Sequence, residues 1–412
     1  MKDALEKKEE IKMRYFFSNH ELRNLHKEEE LEDYFQFRKK YDEIKDLPSS
    51  DLAVIGTPYG DVRLLYETIR DGRDITEQVM DRAADEEHSG LILQYGIAKP
   101  EYVPVMHTAV NGLCDACGVS GRTLFLQEAN SYRVPLTPKD RSEIFTKLLR
   151  TNQKPIHLLF RDEEVACIAS SKYGDLDAEA GYNEAKDYLE GNYQNVEFDH
   201  AQISQEYLAV YFTSGEDTAQ ISDMLQPHIG DCKVKLEFRF STSDTTDSKM
   251  RVTPIYTITA TAGGKTARIP VGAKNSKMDI GVDHRIPNTI EDLTQKMEDY
   301  LLIVLRENEN AIERLGNMPI KHVAGCLQEI TRKFSGLSKV QVNGMAKKLV
   351  NSGKGEDGYA IDVFLAILDT IEEQCKDPFD LAAYITLTER AAEYVFRDYT
   401  RFDRRYEDPD EQ

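Results

Sequence analysis

The chain has 412 residues, of which 40% are hydrophobic and 30% charged, and its 73 acidic and 52 basic residues give a formal net charge of −21. This length can bury a core in about two or three domains, and the composition is too apolar for a disordered chain. Because no run approaches about 18 apolar residues, no transmembrane helix is predicted. The negative balance excludes a protein that coats a polyanion with its whole surface.

Residues 1–47 are dense in Glu and Lys and contain neither Pro nor Gly. Apolar residues recur there at helical spacing, which predicts a charged helical arm that folds as a hairpin and docks one face on the body. A coiled coil that binds a protein partner is the alternative, although its heptads are irregular. Pro48 marks the end of this arm.

Residues 48–155 are predicted to form a mixed, mostly helical region. Acidic helical segments are expected over 61–88, and a further helix over 138–151. Another helix is predicted over 105–117, ending at Gly118 because glycine readily adopts the left-handed conformation that stops many helices.

From residue 156 the hydrophobic period becomes that of strands, and residues 156–287 are predicted to form an α+β domain with a central antiparallel sheet and packed helices. Two apolar runs, 156–160 and 165–169, predict a hairpin. The β-branched runs 251–261 and 265–271 flank Gly263 and Gly264, which predicts another. The remaining elements expected here are helices over 177–193 and 217–227 and strands over 195–203, 207–213 and 233–240.

After Pro287 the pattern is helical, so residues 288–404 are predicted to form a C-terminal helical domain. Thr289 and Asp292 resemble a capping box at its start. Further helices are expected over 318–334, 338–351, 358–375 and 379–399. Residues 405–412 are predicted to be an acidic tail.

Positive charge is concentrated in two windows that contain no acidic residue. Six basic residues lie between Lys249 and Met278, and five lie between Thr331 and Val350. The strand over 233–240 adds one charged face, and Phe240 and Tyr256 lie near it in sequence. The candidate nucleic-acid-binding residues are Lys233, Lys235, Arg239, Arg251, Lys265, Arg268, Lys274, Lys277, Arg332 and Lys333.

Clustered cations neutralise phosphates, and aromatic side chains stack on the bases of a single strand. The alternative is that these cations pair with acidic helices elsewhere in the fold. A helix-turn-helix over 327–349 is disfavoured, because Arg332 stands where a small residue normally lets the two helices pack.

Metal and catalytic motifs are mostly absent. Cys114 and Cys117 have the spacing of a metal or redox pair, but no second pair completes a tetrahedral zinc site, so both are predicted to be buried and structural. Gly264 and Lys265 imitate a phosphate loop, but Thr259 stands where that loop needs glycine. We therefore predict no cofactor, no metal and no catalytic residue, and an enzyme is disfavoured.

The segments 156–161 and 165–177 resemble the phage/plasmid-like proteins built on domain of unknown function 932. Those proteins show a strand that ends in arginine, a turn, and a strand that ends in Ser-x-x-Tyr-x-x-x-Asp before a helix. The matching positions here are Arg161, Ser170, Tyr173 and Asp177, and the similarity extends over about residues 100–375. The family's later Asn-Gly element and Arg-His pair are reduced here to Asp283, His284 and Arg285.

The resemblance implies a protein of a phage, prophage or plasmid, acting in the cytoplasm of a bacterial host. The absence of a secretory signal and the small number of cysteines also favour the cytoplasm. Three hypotheses follow. The first is a non-catalytic, homo-oligomeric protein that binds nucleic acid, single-stranded by preference, through a basic sheet face. The second is a protein-interaction or host-takeover (anti-defence) factor with an acidic binding surface, and the third is a metal-dependent enzyme using Asp175, Asp177 and His284.

Overall fold

Two large sheets, one two-stranded sheet and a helical C-terminal part make up the described residues of the computed structural model, which confirms the predicted α+β class. The residues that the structure describes are 22–56, 75–85, 88–96, 99–124, 136–152, 154–204, 207–245, 248–260, 266–376 and 380–407. Strands β1 to β15 are, in chain order, Arg23–Leu25, Asp42–Pro48, Ala53–Gly56, His88–Tyr95, Glu101–Met106, Pro155–Arg161, Glu164–Ser170, Glu197–Ile203, Leu208–Thr213, Cys232–Thr242, Met250–Ala260, Thr266–Pro270, Gly281–Val282, Pro319–Ile320 and Gly358–Tyr359. Helices α1 to α12 are Glu28–Tyr41, Glu77–Ala83, His107–Cys117, Gly121–Leu124, Pro138–Thr151, Ala178–Asn192, Ala219–Ile229, Ile290–Gly316, Val323–Thr331, Lys339–Asn351, Ala360–Cys375 and Leu381–Tyr394.

The seven-stranded sheet, called the central sheet below, has the strand order β1-β8-β9-β10-β11-β12, with β13 beside β11. Its pairings are antiparallel. The two predicted strands around Gly263 and Gly264 are confirmed as β11 and β12, while the two glycines themselves lie outside the described residues. The central sheet therefore holds most of the predicted basic face.

The six-stranded sheet, called the N-terminal sheet, has the order β2-β6-β7-β5-β4-β3. β5 and β7 run parallel, and the other pairs are antiparallel. Its strands pack against α3 and α5 in a core that includes Leu113, Phe145 and Leu158. Since β6 and β7 belong to this sheet, the predicted domain boundary between residues 155 and 156 does not follow the sheet topology.

The described part of the predicted arm, residues 22–47, joins the two sheets instead of forming a hairpin of helices. β1 pairs with β8 of the central sheet, and β2 pairs with β6 of the N-terminal sheet. The sequence predicts helix up to residue 47, but residues 42–48 form strand β2. The free edge of β6 offers these residues backbone hydrogen-bond partners, which outweigh their local preference for helix. Between them, α1 packs Leu31, Tyr34 and Phe35 into the main core.

The predicted hairpin of β6 and β7 is confirmed, and its turn has an uncommon sequence. Asp162 and Glu163 both adopt left-handed backbone conformations, with φ of 49° and 65°. Two such residues give the turn that matches strand twist, for which Asn-Gly is the usual choice. The Asp162 N–H donates to the Tyr41 carbonyl at 3.1 Å, so the end of α1 holds this turn in place.

The long helix α8 covers the apolar face of the central sheet. Its predicted capping box is confirmed, since the Thr289 N–H donates to the Asp292 carboxylate at 2.8 Å. Leu301 and Val304 of α8 share one core with Phe238 and Phe240 of β10. Helices α9 to α12 follow close to the predicted positions, and their buried side chains extend the same core.

The predicted helices over 105–117 and 138–151 are confirmed as α3 and α5. Gly118 ends α3 with φ of 66°, as the sequence predicts. Of the segment 61–88, residues 61–74 and 86–87 lie outside the described residues, and α2 is the helix described in the rest. At the predicted tail, the Glu407 N–H donates to the Gln328 side chain at 3.2 Å, and residues 408–412 lie outside the described residues.

Candidate nucleic-acid interface

The two faces of β10 differ in chemistry because residues alternate between them. Lys233, Lys235 and Arg239 lie on one face, called the polar face below, while Val234 and Phe238 lie on the other and enter the core. The β11 residues opposite the polar side chains, and therefore on the same face, are Thr259, Thr257, Ile255, Thr253 and Arg251.

Helix α12 packs on one half of the polar face. Leu381 and Ile385 of α12 form a small core with Ile255 and Tyr211 of the sheet. We call the part under α12 and next to it the covered half; its polar residues are Arg239, Ser241, Arg251 and Thr253. The other end is the open half, made by Lys233, Lys235 and Thr259, all of which are exposed.

Arg239 and Arg251 are held by one carboxylate of α12. Arg239 is 1% exposed, and its Nη2 lies 3.2 Å from Glu389 Oε1. Arg251 Nη1 lies 3.0 Å from Glu389 Oε2, and its Nη2 lies 3.3 Å from Asp279 Oδ2. The prediction that Arg239 presents its charge on an open basic face is therefore wrong, because α12 covers it and supplies the counter-ion.

Arg268 lies at the border between the two halves, opposite Thr257. Its guanidinium carbon lies 5.6 Å from the centre of the Tyr211 ring, which is cation–π geometry. Burial acts to lower the pKa of Arg268, but contacts with Tyr384 and Tyr211 outweigh it and raise that pKa. Arg268 is thus engaged by two tyrosines of the fold and is only partly exposed.

The open half holds its lysines beside threonines. The Thr257 hydroxyl donates to Glu237 Oε2 at 2.7 Å, so this carboxylate is engaged within the sheet. Among the described residues, no carboxylate lies within ion-pair distance of Lys233 or Lys235. Lys265 belongs to the connection between β11 and β12 and lies outside the described residues.

The aromatic residues expected near this face lie on the other one. Phe240 and Tyr256 are buried in the main core. The Tyr256 hydroxyl lies 3.2 Å from Glu309 Oε1 of α8, and burial raises the pKa of that hydroxyl. The polar face therefore gains no base-stacking side chain from these two residues.

Lys274 and Lys277 are exposed on the loop that follows β12. The register of β12 on β11 runs from Thr259 toward Ile255, so this loop lies at the covered end of the hairpin. There Lys249 Nζ pairs with Asp279 at 2.9 Å. Among the described residues, Lys274 and Lys277 have no such partner, and they form a basic surface separate from the open half.

The second basic window spans the end of α9 and the whole of α10. Arg332 and Lys333 are exposed, and Arg332 Nη1 lies 2.6 Å from Glu329 Oε1 on the preceding turn. Helix α10 buries Val342 and Ala346 and packs Met345 and Leu349 against the main core, while its lysines are exposed. Binding of nucleic acid by Arg332 and Lys333 stays a prediction.

A buried network of four charges lies where the two sheets meet, and the sequence analysis did not find it. Arg161 contacts both carboxylate oxygens of Asp42 at 3.0 and 3.1 Å, and Arg38 Nη1 lies 2.6 Å from Asp244 Oδ2. Burial acts to raise the pKa of Asp42 and of Asp244, but the two arginines outweigh it and lower both. The i,i+4 spacing of Arg38 and Asp42 is the sequence signal that favours one part of this network.

The residues of the family resemblance lie beside this network. The Tyr173 hydroxyl donates to the Asp244 carbonyl at 3.0 Å, and the Tyr173 ring stacks on His284 at 5.5 Å between centres. His284 Nε2 lies 3.0 Å from the Thr242 hydroxyl. Burial lowers the pKa of His284 and raises that of Tyr173, so both side chains are neutral near pH 7. This pair connects the segment after β7 to the segment after β13.

Of the residues in the metal-enzyme hypothesis, Asp175 and Asp177 line one cavity, whereas His284 lines another. The Asp177 carboxylate accepts from the Ala180 N–H at 2.8 Å and caps α6. Within the part of the chain that the structure describes, no three His, Cys, Asp or Glu side chains are grouped as metal ligands. Cys114 is buried and Cys117 partly buried, and burial raises the pKa values of their thiols to about 11 and about 12, which leaves both thiols protonated.

Comparison with known proteins gives no match to a family model, a curated protein or a solved structure. Membership of the phage/plasmid-like family therefore stays a prediction from residues 156–177. Across the described residues, no helix is both long enough and apolar enough to cross a membrane.

Proposed function

We propose that this protein binds nucleic acid, without catalysis, on the open half of the polar face. The observation that carries the proposal is that Lys233 and Lys235 are exposed side by side on one strand with no ion-pair partner among the described residues. In a chain with 73 acidic and 52 basic residues, an exposed lysine has many carboxylates to pair with. Two lysines on one surface with no such partner are available for the phosphates of a ligand.

The chemistry of the open half favours contact with a phosphate backbone over contact with bases. Lysines neutralise phosphates, and a hydroxyl such as that of Thr259 donates to phosphate oxygens. Because Phe240 and Tyr256 face the core, binding here lacks their stacking energy. The proposal therefore implies weak sequence preference and a strong dependence on salt.

The role on a mobile element is part of the same proposal and rests on the resemblance of residues 156–177. Binding by Lys265 stays a prediction from the sequence, because this residue lies outside the described residues. Lys274 and Lys277 form a separate surface, since α12 lies on the sheet between them and Lys233. A nucleic-acid strand that contacts both surfaces therefore has to pass over α12.

Fluorescence anisotropy of a labelled oligo-dT tests the proposal. The variant K233E/K235E should weaken binding at least about fivefold at low salt, because each reversal replaces an attraction with a repulsion. The slope of log K against log salt should fall by about 1.4, since each phosphate contact with a single strand contributes about 0.7.

The matched control is K99E/K154E, which makes the same change in net charge at two exposed lysines next to strands of the N-terminal sheet, neither of which has an ion-pair partner among the described residues. Equal weakening by both double variants would show that net charge alone governs the binding. If the wild-type protein binds no oligonucleotide at low salt, the proposal is wrong and the acidic protein-interaction hypothesis takes its place.

A further inference from the structure

A cavity of about 750 Å³ lies beside α12, between the covered half and the loop that follows β12. Arg251 and Thr253 of β11 form one wall, and Glu389 and Phe396 belong to the opposite side. The loop is fixed to α8, since Asn308 Nδ2 donates to the Gly272 carbonyl at 2.6 Å. The volume is within the range of about 300–1,000 Å³ that small-molecule sites occupy.

Polar groups without partners line this cavity or lie next to it. Thr253 is 4% exposed, and its hydroxyl makes no hydrogen bond to any described residue. Arg251 Nε, on the same wall, is buried and also lacks a partner among those residues. Arg239 Nε and the Ser241 hydroxyl, which lie opposite Thr253 and Arg251 in the strand register, share this property.

Buried polar groups are nearly always hydrogen-bonded, so four neighbouring exceptions require an explanation. A guanidinium N–H can only donate, and a hydroxyl can donate as well. Of the four residues, only Thr253 and Arg251 line the cavity. A ligand there that completes the Thr253 hydroxyl and the Arg251 Nε–H is therefore an acceptor, and beside a guanidinium ion an anion is favoured over a neutral acceptor.

The carboxylates in the cavity wall do not fill this role. Glu389 is engaged by the terminal nitrogens of Arg239 and Arg251, and Asp279 is engaged by Arg251 and Lys249. These ion pairs leave both Nε–H groups unused. Lys274, Arg397 and the carboxylate Glu393 also line the cavity and are exposed, so these three side chains add one net positive charge.

We propose that this cavity binds the phosphate monoester of a nucleotide, with Thr253 and Arg251 donating to the phosphate. Apolar side chains of the cavity, among them Met278 and Phe396, provide a surface for the base. The choice of phosphate over carboxylate rests on the proposed function, because the same sheet face is proposed to bind nucleic acid. The cavity is separate from the open half and has its own test.

Isothermal titration calorimetry with AMP, inorganic phosphate and adenosine is that test. AMP should bind more tightly than either of the others, and T253V should weaken AMP at least about fivefold, because valine keeps the shape of threonine without its hydroxyl. The control is T257V on the same strand, whose hydroxyl already donates to Glu237 at 2.7 Å; it should leave AMP affinity unchanged. A melting temperature of T253V at or above that of the wild type shows that the variant is folded.

Failure to bind AMP, or equal AMP affinity in T253V and the wild type, would overturn the inference. Equal affinity for AMP and inorganic phosphate would overturn the part that concerns the base. A 5′-phosphorylated oligonucleotide that competes with AMP, while its 5′-hydroxyl form does not, would identify the end of a strand as a ligand; competition by neither form would identify the free nucleotide. AMP binding that K233E/K235E leaves unchanged, in a protein that binds no oligo-dT, would retain the cavity and reject the proposed function.

Discussion

The two halves of the polar face carry basic side chains on the same strand, but these side chains lie in different environments. In the covered half, Arg239 is buried and paired with Glu389. In the open half, Lys233 and Lys235 are exposed and have no such partner among the described residues. In the sequence, the basic residues of both halves belong to one alternating run along β10. The difference in their burial comes from α12, whose Glu389 lies 150 residues after Arg239 in the chain.

The arginines of the covered half stabilise the fold because other groups of the protein replace the water around their charges. A buried charge is tolerated where a counter-ion and hydrogen bonds replace water, and α12 brings Glu389 to Arg239 and Arg251 together. An exposed lysine keeps its hydration and remains available to a ligand. The side chain itself does not determine which role it has; the element packed above it does.

The largest effect is expected from removing the counter-ion of the covered half. E389A leaves Arg239 buried without its carboxylate, and breaking a buried pair from one side costs about 3–5 kcal/mol. Urea denaturation of the variant and the wild type measures the difference in the free energy of unfolding. The control is E393A, one turn later on α12 and exposed, for which a change within about 0.5 kcal/mol is expected.

A loss below about 1 kcal/mol for E389A would contradict the division into two halves. It would mean that water reaches Arg239 once the carboxylate is absent, and that α12 covers the sheet only loosely. The covered half would then be an accessible basic surface, as the sequence alone predicts.

The buried network of charges between the two sheets makes the stability of the folded protein depend on pH. The pKa values of Asp42 and Asp244 are lowered by Arg38 and Arg161 below the ordinary aspartate value of 3.8. Carboxyls with lowered pKa values stabilise the folded protein above the ordinary value, and this contribution disappears as the pH falls through the lowered values. The network should therefore stabilise the protein fully above about pH 5 and progressively less below about pH 4.

The variant D42N isolates this effect. At pH 7 it should lower the free energy of unfolding by about 3 kcal/mol, because Asp244 remains as one counter-ion for the two arginines. The difference from the wild type should stay constant between pH 5 and 8 and shrink below about pH 4. D223N, at an exposed carboxyl, should follow the wild type throughout, and a D42N difference as large at pH 3 as at pH 7 would contradict the assigned cause.

Local patterns predicted the elements better than their arrangement. The helix over 138–151 and the strands of the central sheet follow from hydrophobic period, and the end of α3 follows from Gly118; both signals act within a few residues. Residues 42–48 did not follow their helical pattern, because the strand partner β6 lies more than 100 residues away. The sequence shows a preference for helix there but contains no local sign of that edge.

The candidate site could be predicted only in part, because local patterns show on which face of a strand a side chain lies but not whether another element covers it. Alternation placed Lys233, Lys235 and Arg239 on one face, and the register confirms that arrangement. It could not show that α12 covers Arg239 or that Tyr256 faces the core, since burial depends on packing between distant segments. The network of Arg38, Asp42, Arg161 and Asp244 is likewise assembled from three segments, and the sequence marks only the spacing of the first two.

The smallest effect on stability is expected in the open half, and it is the most informative. K233A/K235A removes two exposed side chains without an ion-pair partner among the described residues, so the free energy of unfolding in urea should change by less than about 0.5 kcal/mol. A loss above about 1 kcal/mol would mean that these lysines balance acidic neighbours, as the arginines of the covered half do. They would then no longer be available to phosphates, and the argument for the open half would fail even if the protein binds nucleic acid. A small change in stability together with weaker oligonucleotide binding by K233E/K235E would instead show that one strand carries structural cations at one end and ligand-binding cations at the other.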